Sequence, residues 1–71
     1  MIEEQFYVTV DIPKRVDMKS RKFEHAFIDA VCSSSESGTQ NHDWRFAYAR
    51  YSSYHEAAEC EARLKEMIKL L

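Results

Sequence analysis

Glycine, proline and cysteine are all scarce in this chain: one, one and two residues among 71. With Gly38 as the lone glycine, a glycine-rich loop that cradles phosphates is excluded. Cys32 and Cys60 are too few for the disulfide framework of a small secreted protein. Both fall in surroundings that read as helical, where a free cysteine behaves as a small apolar residue. The histidines, His25, His42 and His55, have none of the short spacings typical of zinc sites, so no metal or other cofactor is expected. No apolar run reaches the roughly 20 residues that cross a bilayer, and the acidic start MIEEQFYV is unlike a secretory leader. These absences point to a cytoplasmic protein without a membrane partner. The formal charge of −2 also argues against non-specific coating of nucleic acid.

What the chain does contain is regular patterning. Residues 5–12, QFYVTVDI, place Phe6, Val8, Val10 and Ile12 on one side and Tyr7, Thr9 and Asp11 on the other, the period of a half-buried strand. Pro13 closes it, having no N–H for a ladder. Asp17 is the expected N-cap of a first helix, whose apolar stripe is Phe23, Ala26, Phe27, Ala30 and Val31, widened by Ile28. CSSSESGTQN, residues 32–41, holds four of the seven serines and the glycine, and reads as a loop. Ser53 and Glu56 then fit a capping box at the head of a second helix. Its stripe is Ala57, Cys60, Leu64, Met67, Ile68 and Leu71, and Glu59–Arg63 and Glu61–Lys65 are favourable i,i+4 pairs.

The expected fold class is α/β (α+β): one small domain over residues 1–71, in β-α-β-α order. Two amphipathic helices would pack on one face of a small sheet. Two strands alone make a poor sheet, so a second copy of the chain is a natural source of further strands, as a homodimer. Strand direction stays open at this level.

Between the helices, HDWRFAYARY (residues 42–51) alternates Trp44, Phe46 and Tyr48 with Arg45, Ala47, Ala49 and Tyr51. A chain this short buries only about 60% of its unfolded surface, and each aromatic side chain buries about 150–250 Å². The large rings are therefore expected inward. The outer face would then hold Tyr7, Arg45 and Tyr51 around a flat alanine patch, residue types enriched at protein interfaces. Were the rings outward instead, they would form a platform for stacking bases or gripping a partner.

A second candidate surface is the basic segment 14–22, with Lys14, Arg15, Lys19, Arg21 and Lys22, five of the ten cations. Cations at the start of a helix oppose its dipole, which makes a phosphate or an acidic partner plausible. A solvated charge run has the same composition. His25 and Cys32 are seven apart, but no orienting third group or oxyanion pocket accompanies them. A chain this small can hardly enclose a cleft of roughly 300 Å³. The leading expectation is a non-enzymatic, protein-binding inhibitor, regulator or accessory subunit. The alternative is a nucleic-acid-binding module using residues 14–22. A catalytic site completed only across a dimer comes third.

Overall fold

In a computed structural model that describes residues 4–71, the first alternating segment forms β1, Phe6–Asp11. Residues 1–3, part of the acidic start read as unlike a leader, lie outside the described residues. Val8, Val10 and Ile12 are buried as expected and Phe6 is half-buried. Two turns follow, closed by Val16 N–H to the Pro13 carbonyl and Ser20 N–H to the Asp17 carbonyl. They bury Val16 and delay the helix, so Asp17 is not its N-cap. Asp17 accepts instead from the Lys19 N–H, and Ser20 caps α1, Arg21–Ala30, by accepting from the Phe23 N–H at 3.1 Å.

The serine-rich stretch is the main correction to the element order. Its second half, Glu36–Asn41, is a strand, β2, which forms a hairpin with β3, Arg45–Tyr51. The order is thus β-α-β-β-α, closing with α2, Tyr54–Leu70. The sheet runs β1-β3-β2, with β3 antiparallel to both neighbours. β1 and β2 are therefore parallel to each other and separated by β3, the arrangement of a split β-α-β unit. Little in ESGTQN favours a strand, since it lacks β-branched residues other than Thr39 and has no apolar alternation. β3 templates it through the ladder.

α2 is the element that covers the sheet, lying against β1 and β3, while α1 packs on α2. The Ser53 hydroxyl caps α2, accepting from the Glu56 N–H at 3.5 Å, and both expected ion pairs form, Glu59–Arg63 at 3.9 Å and Glu61–Lys65 at 3.4 Å. Two arginines satisfy carbonyls at helix C-termini, where a cation complements the negative end of the dipole. Arg63 donates to the Ala30 carbonyl of α1 at 3.1 Å, and Arg15 to the Ile68 carbonyl of α2 at 2.9 Å. Cys60 is fully buried in the core, whereas Cys32 stands exposed in the turn after α1 and is no core residue.

The facing of β3 goes the other way from the expectation. Ala47, Ala49 and Tyr51 point into the core, at 0%, 0% and 1% exposure, while Trp44 is 79% exposed. Strand pairing sets Phe6 opposite Tyr51, Val8 opposite Ala49 and Val10 opposite Ala47, so these residues share one face. Ala57 and Cys60 of α2 are buried in the same cluster. Small side chains on both the helix and the strand let the two approach closely, and close packing rather than ring area fills this core. Tyr51 supplies the bulk at one end, and its hydroxyl donates to the Cys32 carbonyl at 3.0 Å.

Candidate functional site

With the alanines inward, the side of the sheet away from the helices carries the rings. Its three rows follow from the strand register. Tyr7, Arg50 and Glu36 lie side by side, then Thr9, Tyr48 and Gly38, then Asp11, Phe46 and Gln40. Tyr7 is 70% exposed, and Phe46 and Tyr48 are half-buried by their neighbours. Phe46 and Tyr48 tilt against each other, with ring centroids 6.4 Å apart. At the hairpin end, Trp44 joins Phe46, Gln40, His42 and Asp43 around an open hollow of about 340 Å³.

Gly38 explains how Tyr48 is held. A Cβ at that position would meet the Tyr48 hydroxyl oxygen at 2.7 Å and ring atoms at 3.0 Å. The ring therefore lies over bare backbone, and any side chain at position 38 would push it off the sheet. An aromatic ring covering a strand glycine restores the packing that glycine cannot supply.

Arg50 sits at the centre of its row, 3.2 Å from the Glu36 carboxylate. The Tyr7 hydroxyl beside it, and secondarily Glu36, hold its pKa above the ordinary guanidinium value. Its Nε is buried without a hydrogen-bond partner among the described residues. The face as a whole pairs aromatic area with an Arg50–Glu36 ion pair and the further negative charge of Asp11.

The residues singled out from the sequence fare differently. Tyr7 is on the exposed sheet face as expected. Arg45 and Tyr51 are not, because the strand is turned over. Tyr51 is core, and Arg45 reaches under the β1–α1 turns, donating to the Val16 carbonyl and, at 3.3 Å, to the Met18 sulfur. Of the basic segment, Arg15 is engaged with α2, while Lys14, Lys19, Arg21 and Lys22 are exposed. Lys22 borders a second open hollow, of about 430 Å³, between α1 and α2 with Ala26, Met67 and Leu70. Both hollows exceed the roughly 300 Å³ judged hard to enclose, although each is open to solvent. The histidines stand on three separate elements: His25 on α1, His42 in the hairpin turn, and His55 on α2, 3.1 Å from Glu59.

Arg50 is the residue of this face that the sequence reading missed, while Trp44, Phe46 and Tyr48 were expected inward, with the outward platform as the alternative. No helix of the described residues is long and apolar enough to cross a membrane. Comparison with family models, curated proteins and solved structures finds no match.

Proposed function

We propose that this chain is a non-catalytic, cytoplasmic protein-binding module, an inhibitor, regulator or accessory subunit, that grips its partner with the helix-free face of its sheet. The observation that carries this reading is the run of rings from Tyr7 beside Arg50, through Tyr48 and Phe46, to Trp44 at the hairpin end, on a face that no helix of the described residues covers. Tyr, Trp and Arg are enriched among the residues that dominate interface binding energy, and the two aromatics bury much area at low entropic cost. The rings on the sheet also favour a second reading, since exposed aromatics on an antiparallel sheet can stack bases. Charge favours the first. Among the described residues the single cation of the face, Arg50, is already paired with Glu36, and Asp11 adds a negative charge, so these residues offer phosphates no free counter-charge.

Affinity capture with the full chain, followed by the same capture with a Trp44→Ala/Tyr48→Ala variant, tests the proposal. The expected result is a protein retained by the parent and lost by a variant whose circular dichroism is unchanged. Equal retention by both would overturn the assignment of the face. Single-stranded RNA or DNA binding that collapses with rising salt would favour the second reading instead.

A further inference from the structure

The two edges of the sheet are built differently, and the difference assigns a role to one of them. β2 forms one edge with Glu36, Ser37, Gly38, Thr39, Gln40 and Asn41, a polar, glycine-containing strand with few β-favouring side chains to specify a further pairing. β1 forms the other with FYVTVD, an apolar, β-branched strand without lysine, proline or bulge. Ile12 donates its N–H to the Arg45 carbonyl at 2.9 Å, so the even-numbered residues of β1 face the β3 ladder. Tyr7, Thr9 and Asp11 consequently turn their N–H and C=O groups to the outer edge. Among the described residues these groups have no backbone partner, and all three side chains are exposed.

We propose that the β1 edge pairs antiparallel with the β1 edge of a second copy of this chain, about a twofold axis at Thr9. That register makes Tyr7–Asp11, Thr9–Thr9 and Asp11–Tyr7 the hydrogen-bonded pairs, using all of the free edge groups. It sets Val8 opposite Val10 and Phe6 opposite Ile12 on the helix side. Apolar and Thr–Thr cross-strand pairs stabilise antiparallel sheets, and no like charges oppose each other. The strand is thus self-complementary, as an isologous interface requires. The product is one continuous sheet with its two aromatic faces on the same side. This contact uses backbone at the sheet edge and is independent of what the aromatic face binds.

Sedimentation of the intact chain from low micromolar to several hundred micromolar should show a species of twice the 8.4 kDa chain mass. Thr9 is exposed, so Thr9→Lys and Thr9→Glu can be made without touching the core. Each variant alone should be monomeric, because the substitution opposes its own copy at the axis. An equimolar mixture should recover the dimer, which a folding defect would not allow. Amide exchange at Tyr7, Thr9 and Asp11 should slow at least tenfold on going from monomer to dimer. A parent that stays monomeric throughout the range overturns the proposal. So does a dimer that either single variant retains, or one in which those three amides exchange freely.

Discussion

The two faces of this sheet reverse the usual division of labour between large and small side chains. On the helix side β3 offers Ala47 and Ala49, both with no exposed surface, and on the open side it offers Phe46 and Tyr48. Apolar area alone would have put the rings inside. The difference shows that depth of packing between strand and helix is chosen first, and that side-chain size must follow it. A face close to a helix takes alanine, and the face left over is free to carry rings.

Four measurements can break or sharpen this comparison. The largest contrast is expected between two tyrosines three residues apart on β3. Tyr51→Ala should destabilise by about 3–5 kcal/mol in urea unfolding, since it empties a buried ring site. Tyr48→Ala should cost clearly less, and equal losses would mean that both faces bear core. Next, Ala49→Leu should cost about 1–3 kcal/mol by forcing α2 away from the sheet. A neutral result would show that helix and strand are not closely packed there.

A smaller difference should emerge in alkali. Burial, and then the neighbouring Cys60, push the Tyr51 hydroxyl up to about 12 from its ordinary 10.0. In that window the unfolded chain loses this proton while the folded chain keeps it. The contribution to stability is therefore complete below pH 10 and is lost as pH rises towards about 12. Tyr51→Phe should remove this part of the alkaline decline, and parallel curves for parent and variant would contradict the burial of the hydroxyl. The smallest effect belongs to the open side. Trp44→Ala should change stability by no more than about 0.5 kcal/mol. Trp44 fluorescence in the native protein should be red-shifted and readily quenched by iodide, and a blue-shifted, protected indole would return the rings to the core.

Where local pattern decides structure, the sequence was readable. β1 shows its buried side because Asp11 rules out the other, and α2 shows cap, stripe and ion pairs together. Two features depend on partners distant in the chain and so were hidden. β2 is a strand because β3 lies beside it, not because ESGTQN prefers to be one. The facing of β3 was ambiguous because alternation defines two sides without saying which is covered. The site shared that ambiguity. Tyr7 was placed correctly through β1, while Arg45 and Tyr51 were assigned to the wrong face together with their strand. Arg15 illustrates a third limit: its acceptor, the Ile68 carbonyl, is 53 residues away.

The central position of β3 also governs the sequence of assembly. β2 and β3 are joined by a short turn, and a hairpin closes in roughly 1–10 μs. β1 pairs only with β3, about forty residues further along, so a much longer loop must close before it is placed, and until then both of its edges are bare. Pulse-labelled amide exchange during refolding should find the β2–β3 bonds protected before those of β1, and the reverse order would refute this. During that interval the apolar FYVTVD segment is open to any other strand in the cell. A newly made chain is thus most vulnerable to misassembly before residues 45–51 have left the ribosome and given β1 its place.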